Sequence, residues 1–537
     1  MNPLLLVDSY KIHHQNMYEP NMTKLYSNFT PRKSRIAGID KVVVFGIQHF
    51  VLEYLIKQFN KDFFGRRVYC GPKENLELHE SSLKFKENII KEYQRHCNVD
   101  TKHIEDLWDL GYLPIEIKAL DEGTLCPIGV PMMTITNTHP DFAWLVNYLE
   151  TLISCMLWQP ITSATIAHEY KKILNKYAIE TTGTTEEVQW QGHDFSMRGM
   201  SSVESAILSG MGHLTSFTGT DTIPAIYQLE KSYNATGLIG ASVPATEHSV
   251  MCMGTKEAEV DTFRRLLDLY PTGILSVVSD TWDLWKVCTE HLVTLKDEIL
   301  ARDGKLVIRP DSGNPVDILC GIPDATPLTQ HKLQYRTLTG DISWKEQKGV
   351  IELLWNVFGG TVNEQGYKIL DSHIGAIYGD SITMERAIQI CERLKSKGFA
   401  STNVVFGIGS YTYQYNTRDT FGFAMKATYG EITHTKACSS PEECTKSEGY
   451  CEFECGEPKQ VIEPREIFKD PITDDGTKKS KKGLLCVTGN ETGFSDIKVY
   501  DQCTWEQESR GLLTTVFKDG KLVKETTLDE IRNRLNN

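Results

Sequence analysis

The stretch Leu306-Val-Ile-Arg-Pro-Asp-Ser-Gly-Asn-Pro315 shows the unit that recurs through the middle of this chain. Its first three residues are an apolar run, as expected for a strand buried in a parallel sheet. Arg309 and Asp311 follow in a turn-rich segment, so that a fixed cation and a carboxylate stand close together where the strand ends. Such a pair suits an anionic, hydroxylated ligand.

The same unit recurs from about residue 190 to residue 410 as a short apolar run, a polar loop and a helical pattern. The apolar runs end near Phe195, Phe217, Val243, Val278, Ile308, Tyr378 and Phe406. Most of these ends lie about 20 to 35 residues apart, the length of a strand with its helical crossover, and extra material fills a longer gap between 316 and 370. Seven units predict an irregular (β/α) barrel, whose loops after the strands share one face and form the active site. A doubly wound open sheet is the competing architecture.

The rest of the chain predicts mixed α/β structure with a partly antiparallel sheet. Strand patterns cover Lys24 to Phe29 and Val42 to Phe45, and short strands broken by Gly and Pro fill Leu113 to Thr136. Helical patterns lie at 80–110 and 141–158. We therefore divide the chain into an N-terminal α/β domain (1–160), a barrel catalytic domain (161–420) and a C-terminal segment (421–537).

Composition narrows the class of protein. The 537 residues carry a net charge of −14, which argues against a general nucleic-acid or anionic-membrane surface. The apolar run Leu4 to Val7 is too short for a secretory or membrane segment. Fourteen Cys without a disulfide framework suit the reducing cytoplasm. Four of them, Cys438, Cys444, Cys451 and Cys455, lie in an acidic insertion at about 437–463 whose spacing matches no standard zinc site, so free thiols are the simpler interpretation.

His248, in the stretch Ser242-Val-Pro-Ala-Thr-Glu-His-Ser249, is the central titratable candidate. A general base, a metal ligand, a phosphate contact and a core His all remain open. The absence of a second His three or four residues away disfavours zinc. The absence of a Gly-x-Ser-x-Gly elbow disfavours an acyl-transfer triad.

Two glycine-containing loops are candidate phosphate sites. Gly379-Asp380-Ser381 precedes a helix predicted over Ile382 to Lys397, and Gly407-Ile-Gly409-Ser410 follows a strand directly. Helix capping by Asp380 or Ser381, and a tight turn, are the structural alternatives. Their occurrence in the last two units favours phosphate, because barrels commonly bind phosphate there. Similarly, Phe195 and Arg198 supply an aromatic face and a cation, or simply a core ring and a surface charge.

Nine motifs together closely resemble the nicotinamide phosphoribosyltransferase family of type II phosphoribosyltransferases. They are Asp8-Ser-Tyr-Lys11, His193-Asp-Phe195 with Arg198-Gly199, Gly219-Thr-Asp-Thr222, Ser242 to Ser249, Val277-Val-Ser-Asp280, Ile308 to Pro315, Tyr378-Gly-Asp380, Thr417-Arg-Asp419 and Lys469-Asp-Pro471. The resemblance implies an irregular barrel with an additional α/β domain made from both chain ends. It also implies homodimers with active sites at the subunit interface, and Mg²⁺-dependent transfer of phosphoribosyl from phosphoribosyl pyrophosphate to nicotinamide, in NAD biosynthesis.

The resemblance further implies a role for each matching residue. The ring-stacking aromatics match Phe195 and Tyr10 of the partner subunit, and the carboxamide partner matches Asp221, for which helix capping is the alternative. His248 matches a histidine phosphorylated by ATP, which stimulates the enzyme, with Glu247 placed to orient the imidazole. The catalytic set is His248, Asp280, Arg309 and Asp311, with Mg²⁺ near Asp280 and Asp311. The substrate-binding set, including lysines that reach the phosphates from the other chain, is Tyr10, Phe195, Arg198, Asp221, Ser242, Ser276, Arg309, Asp311, Gly379, Asp380, Gly409, Ser410, Arg418, Lys469, Lys478 and Lys479.

Two departures from the family pattern stand out. The last phosphate loop has Gly409-Ser410 where human-type members have two glycines, and the Cys-bearing insertion has no counterpart. For the lysines at 478–482, a solvated turn is the alternative to a phosphate-binding role. A nicotinate-preferring relative and a non-catalytic protein that binds phosphorylated metabolites remain as alternatives.

Overall fold

The computed structural model describes residues 1–70, 77–323, 326–328, 334–337, 340–379, 381–436, 459–473, 480–490 and 496–536. The chain forms two compact units, one of Met1–Thr162 with Thr417–Asn537 and the other of Ser163–Asn416. Both chain ends therefore belong to the first unit. Arg418, which the sequence division placed in the barrel domain, lies in this first unit instead.

Six parallel strands form the main sheet of the second unit. Their order in space is Thr272–Val278, Asp303–Arg309, Ile374–Tyr378, Val404–Ile408, Gly192–Asp194 and Gly219–Thr220. The segment 241–246 joins the two ends of this sheet, because Ala241 bridges to Gly219 and Ala245 bridges to Ser276. The hydrogen-bonded ring therefore closes, which confirms the irregular barrel and contradicts the open, doubly wound sheet.

One predicted strand position is displaced along the chain. Phe217 is buried, but its backbone N–H donates to the carbonyl of His213 in the turn that ends a helix. The strand itself begins two residues later, at Gly219–Thr220. An apolar run that packs a helix end against the barrel has the same sequence pattern as a short buried strand.

Side chains along the barrel strands alternate between two environments. Leu306, Ile308 and Phe406 are fully buried in the core. Val307 and Val405, which lie between such positions, line a cavity of about 400 Å³. This period of two is the geometry of a strand, and it gives the barrel both a packed face and a cavity-facing one.

Helices precede, separate and follow these strands along the chain. Those of the second unit are Val188–Gln191, Met197–Gly199, Val203–His213, Ile223–Tyr233, His248–Met253, Glu259–Leu269, Leu284–Lys286, Val287–His291, Leu292–Thr294, Lys296–Leu300, Pro315–Cys320, Trp344–Lys348, Val350–Phe358, Met384–Ser396, Ser401–Asn403 and Ser410–Gln414. The gap between the fifth and sixth strand predictions holds the strands Thr326–Pro327, Gln334–Thr337, Gly340–Ser343, Gly360–Val362 and Lys368–Leu370.

The first unit is built on a seven-stranded antiparallel sheet. Its strands run in the order Lys459–Glu466, Phe423–Lys436, Met22–Pro31, Met133–Asn137, Ile115–Ala119, Thr514–Lys518 and Lys521–Leu522. Three strand pairs accompany it, Lys41–Val43 with Leu125–Pro127, Leu484–Thr488 with Lys498–Cys503, and Tyr69–Cys70 with Glu77–Leu78. The three central strands come from the N-terminal part of the chain and are flanked on both sides by strands from the C-terminal part, which confirms the mixed, partly antiparallel domain.

The helices of this unit lie mostly in its N-terminal part. They are Pro3–Leu5, Ser9–Asn16, Ile47–Phe50, Val51–Gln58, Asn60–Phe64, Glu80–Cys97, Lys102–Leu110, Pro140–Phe142, Leu145–Tyr148, Arg418–Thr420, Trp505–Ser509 and Leu528–Asn536. The long helix Glu150–Thr182 begins in this unit and continues past its boundary at residue 162. Among the helices of the described residues, none has the length and apolarity needed to span a membrane.

Candidate active site

Parallel register brings the ends of two neighbouring strands together at Asp221. His193 pairs with Gly219 and Asp194 with Thr220, so the loop that begins at Asp221 follows beside the end of the strand Gly192–Asp194. His193 Nε2 donates to Asp221 Oδ1 at 2.9 Å, and the Ser242 hydroxyl donates to the same oxygen. The carboxylate therefore receives two donors from two other ring segments.

The charge state of Asp221 follows from these contacts. Partial burial acts to raise the pKa of its carboxyl, but the hydrogen bonds from His193 and Ser242, with the nearby Arg309 cation, outweigh burial and lower it. Asp221 is thus an ionised acceptor at neutral pH. It does not cap the next helix: Thr222 is the N-cap of Ile223–Tyr233, and no side-chain cap bond is made there, so the capping alternative is wrong.

Phe195 presents its ring beside this carboxylate network. Its centroid lies 4.5 Å from that of His193, at an interplanar angle of 40°. A Cβ at Gly407 would lie 2.8 Å from Phe195 Cδ2, so only glycine fits behind the ring. His193, Phe195, Ser242 and Ser276 line the cavity of about 400 Å³ together. The predicted aromatic face and both serines therefore border one cavity.

Arg309 is a partly buried cation at the end of a barrel strand. Its Nη2 donates to the carbonyl of Thr246, and burial lowers its pKa from the ordinary arginine value while Asp311 opposes that shift. The charges of Asp221, Arg198 and Asp280 also act on it. Arg198 is exposed in the short helix Met197–Gly199. Of the two arginines, Arg309 is held in the lower-dielectric position, where a charge acts more strongly.

Asp280 organises the loop after the strand Asp303–Arg309. Its Oδ2 accepts from the backbone N–H groups of Asp311 and Ser312, each at 2.8 Å, and from the Ser312 hydroxyl at 2.6 Å. Its other oxygen, Oδ1, is buried without a hydrogen-bond partner in the described part of the chain. A buried carboxylate oxygen without a donor suits a cation.

His248 stands at the start of the helix His248–Met253 with about half of its side chain exposed. Its Nδ1 lies 3.3 Å from Thr281 Oγ1, and its Nε2 lies 3.9 Å from Asp311 Oδ2. Glu247 instead accepts a hydrogen bond from the Ser249 hydroxyl. The expectation that Glu247 orients the imidazole is therefore wrong, because its carboxylate is engaged by Ser249 and the groups next to the ring are Thr281 and Asp311.

The two glycine loops differ in detail from expectation. The helix after Gly379 begins at Met384, and the Thr383 side chain accepts from the Arg386 N–H, so capping by Asp380 or Ser381 is wrong. A Cβ at Gly379 would lie 3.0 Å from Asp311 Oδ1 and 3.6 Å from Arg309 Cδ, which places this loop beside the Asp311 carboxylate and the Arg309 side chain. Asp380 lies outside the described residues.

Gly409 has open space at its Cα, because an added Cβ there would meet no atom within 4 Å. Ser410 packs against Gly199, where an added Cβ would overlap the Ser410 hydroxyl. The last loop of the barrel is therefore adjacent to the loop that carries Arg198, and its backbone is open to a ligand.

Of the predicted site residues that the structure describes, three lie in the first unit. Tyr10 is 61% exposed beside Lys11, which is buried and paired with Glu150 at 2.6 Å. Arg418 and Lys469 both act electrostatically on Lys426. Lys478 and Lys479, like Cys438, Cys444, Cys451 and Cys455, lie outside the described residues.

Sequence reasoning missed a basic cavity of about 500 Å³ in this unit. Arg32, Lys426, Lys481 and Lys482 line it. Burial lowers the pKa of Lys426, and the nearby cations Arg32, Lys469 and Arg418 act in the same direction. Arg32 follows the strand Met22–Pro31 and Lys426 lies in its partner strand Phe423–Lys436, so the cavity joins opposite ends of the chain and no local pattern could have identified it.

Comparisons with known proteins were made for the whole chain. The model of the "Nicotinate phosphoribosyltransferase (NAPRTase) family" matches residues 190–448, and that of "Nicotinamide phosphoribosyltransferase, N-terminal domain" matches residues 2–65. Proteins named nicotinamide phosphoribosyltransferase are 46% identical in Acinetobacter baylyi, over 100% of this chain and 97% of the relative, and 32% identical in Xanthomonas campestris pv. campestris, over 99% and 97%.

Among solved structures, the nicotinate-nucleotide pyrophosphorylase from Pyrococcus furiosus superposes with a TM-score of 0.52 at 13% identity, covering 99% of this chain and 95% of that one. At this identity the likeness concerns the fold alone.

Proposed function

The chain belongs to the nicotinamide phosphoribosyltransferase family, and we propose that its barrel face transfers phosphoribosyl from phosphoribosyl pyrophosphate to nicotinamide, giving nicotinamide mononucleotide and pyrophosphate. It is a pentosyltransferase of NAD biosynthesis. The observation that carries the proposed chemistry is the convergence of Asp221, Arg309 and Asp280, from three strand ends, around one closed barrel.

Nicotinamide binding is the first task of the site. Phe195 offers the ring surface, and the ionised Asp221 accepts a hydrogen bond from the carboxamide NH₂. The ring nitrogen is already nucleophilic, so the residues need to hold it in line with C1′ of the ribose rather than remove a proton. Such positioning alone supplies a large part of a rate enhancement.

Departure of pyrophosphate requires positive charge on the leaving group and negative charge near the sugar. Arg309 and Arg198 supply the former, and Asp280 and Asp311 the latter, while an oxocarbenium-like charge develops on the ribose. The residues fit a magnesium ion: Asp280 Oδ1 is a buried oxygen without a donor in the described residues. In sites of this kind Mg²⁺ takes one or two carboxylates and completes its shell with phosphate and water. A bound Mg²⁺ would neutralise charge on the pyrophosphate.

ATP is proposed as a stimulatory cofactor that phosphorylates His248. The His248 imidazole is half exposed and lies beside Thr281 and Asp311. This supports the proposal, because a nucleotide can approach an exposed ring next to the carboxylates. Phosphorylation would add negative charge next to the carboxylates and favour a bound magnesium ion.

A homodimer with shared sites is the proposed assembly. The exposed Tyr10 ring, Lys469 and the basic cavity of Arg32, Lys426 and Lys482 lie in the first unit, and the barrel face lies in the second. In the proposed dimer the first unit of one chain supplies a second ring and phosphate contacts to the barrel of the other. We also propose a cytoplasmic location, since all cysteines in the described residues are free thiols.

Separate incubations with Mg²⁺, phosphoribosyl pyrophosphate and either nicotinamide or nicotinate test the activity. We expect mononucleotide and pyrophosphate in equal amounts with nicotinamide, and none from an Arg309→Ala variant. Preference for nicotinate would assign the chain to the nicotinate-specific alternative. Absence of pyrophosphate with both bases would leave only a protein that binds phosphorylated metabolites.

A further inference from the structure

His193 makes a contact that the proposed chemistry does not yet use. Its side chain is about one-tenth exposed, and its Nε2 lies 2.9 Å from Asp221 Oδ1. A carboxylate only accepts hydrogen bonds, so the imidazole must donate from Nε2. When neutral, His193 is therefore held as the Nε2–H tautomer, because the Asp221 contact requires a proton on that nitrogen.

The position of the imidazole is determined by its surroundings. An added Cβ at Gly219 would lie 2.8 Å from His193 Nδ1, so the ring packs directly on that backbone. Phe195 covers it from another side. The ring therefore has little freedom to turn away from Asp221.

The loop carrying Asp221 is held equally firmly. Asp194 is fully buried, and its Oδ2 accepts from Thr222 Oγ1 at 2.7 Å and Thr220 Oγ1 at 3.3 Å. The Asp221 N–H donates to the Asp194 carbonyl at 3.0 Å. Hydrogen bonds between the strand Gly192–Asp194 and the segment 220–222 therefore hold both the donor and the acceptor of the His193–Asp221 bond in place.

Both donors reach the same oxygen of Asp221. His193 and Ser242 occupy Oδ1, while Oδ2 accepts no hydrogen bond from the described residues. Two charge-assisted bonds at Oδ1 stabilise the ionised form and fix the rotation of the carboxylate. Oδ2 then remains as the acceptor for a ligand donor.

We propose that His193 is a specificity-determining positioning residue, which through its bond to Asp221 Oδ1 keeps the carboxylate ionised and reserves Oδ2 for an amide N–H of the base. It selects an aromatic ring that carries a carboxamide and rejects one that carries a carboxylate. This inference rests on the proposed function, since it assigns the same base site.

Calorimetric binding of nicotinamide and of nicotinate to the full chain tests it without requiring turnover. His193→Phe keeps a ring against Phe195 but removes the donor. It should reduce the preference for nicotinamide by about tenfold or more, the effect of one hydrogen bond to a charged group. Without the His193 hydrogen bond, burial is opposed by fewer contacts and the pKa of Asp221 should rise. Nicotinamide binding should therefore begin to weaken at a higher pH than in wild type. His193→Gln, which can place an N–H near the same point, should stay within about threefold of wild type.

Two serine variants provide a second line of evidence. Ser242→Ala removes the other donor to Oδ1 and should shift the preference in the same direction. Ser249→Ala removes a hydroxyl that bonds Glu247 instead and should leave the preference unchanged. This pair decides the question if His193→Phe fails to fold.

An unchanged preference in His193→Phe, or in Ser242→Ala if the former does not fold, would overturn the inference. Wild-type protein that binds nicotinamide with the expected preference but forms no mononucleotide would contradict the proposed function alone. Wild-type protein that binds neither base would overturn both.

Discussion

We propose that base selectivity depends on Asp221. Its carboxylate stays ionised because donors from His193 and Ser242 outweigh burial. Nicotinamide can donate to it, whereas nicotinate would bring a second negative charge to the same position. Like charges in contact cost several kcal/mol in a desolvated interface. One repulsive element of this size is enough to separate two ligands of the same shape.

Asp221→Asn should therefore lose activity on nicotinamide and gain relative acceptance of nicotinate, shifting the ratio of kcat/KM for the two bases by roughly a hundredfold. Steady-state kinetics with both bases measure it. Because the pKa of Asp221 is lowered, the wild-type preference should persist through the neutral range and weaken only as the pH falls through that lowered value. A ratio that is the same in Asp221→Asn and wild type would contradict the assignment, whatever the absolute rates.

His248 has a separate proposed role, which is to accept a phosphoryl group from ATP. His248→Ala should abolish ATP hydrolysis and the ATP-dependent fall in the apparent KM for the substrates, yet leave basal transfer measurable, since the base site does not contain this residue. Phosphate release from ATP, followed in the presence and absence of nicotinamide, gives the answer. Full ATPase activity in the variant would refute the phosphorylation.

At the scale of elements, the strand ends were the predictable part. An apolar run such as Leu306–Ile308 followed by Arg309 and Asp311 is a local signal, and parallel topology then brings those loops to one face. Local sequence patterns did not identify the helix cap or the partner of Glu247. Thr383, rather than Asp380 or Ser381, caps the helix Met384–Ser396, and Glu247 bonds Ser249 rather than His248. The link from His193 to Asp221 needs the register of two strands, which no single segment specifies.

A buried pair between two helices of the barrel unit gives a stability prediction. Glu259, the first residue of Glu259–Leu269, is 3% exposed, and its Oε2 lies 3.6 Å from Nδ1 of the buried His291. Burial raises the pKa of Glu259 to about 7, with smaller effects of Lys286, Asp283 and Lys256. Burial also lowers the pKa of His291. The pair therefore prefers to be uncharged.

A carboxyl whose folded pKa is raised contributes its full stability below the unfolded value, near 4.5, and loses it as the pH rises through about 7. Glu259→Gln should thus stabilise the chain by about 1 to 3 kcal/mol at pH 8 and leave it unchanged near pH 4.5. Urea unfolding at the two pH values measures this, with the exposed neighbour Glu257→Gln as the matched control. Equal midpoints for Glu259→Gln and Glu257→Gln at pH 8 would show that the buried carboxyl carries no such cost.

For the whole molecule, local sequence patterns could not reveal that the first unit forms a basic cavity. Arg32 and Lys426 meet in one cavity because the strands Met22–Pro31 and Phe423–Lys436 pair, an arrangement of residues from opposite ends of the chain. The resemblance supplied the expectation that Tyr10 and Lys469 act on the other subunit. That expectation stays a prediction, and complementation between subunits is its natural test.

Mixing a Tyr10→Ala chain with an Arg309→Ala chain should restore one intact site per heterodimer. Random pairing makes about half of the dimers mixed, so about one quarter of wild-type activity is expected from two inactive parents. A matched mixture of Phe195→Ala and Arg309→Ala, both on the barrel, should recover nothing. Mixed dimers that form but remain inactive in the first mixture would argue against shared sites.

We propose that this barrel face joins phosphoribosyl to nicotinamide and selects it through Asp221. The most direct measurement is a single reaction containing Mg²⁺, phosphoribosyl pyrophosphate and equal concentrations of nicotinamide and nicotinate, with both mononucleotides and pyrophosphate quantified by mass spectrometry. We expect nicotinamide mononucleotide in roughly a hundredfold or greater excess, with pyrophosphate equal to the total mononucleotide formed. Predominant nicotinate mononucleotide, or no pyrophosphate at all, would contradict it.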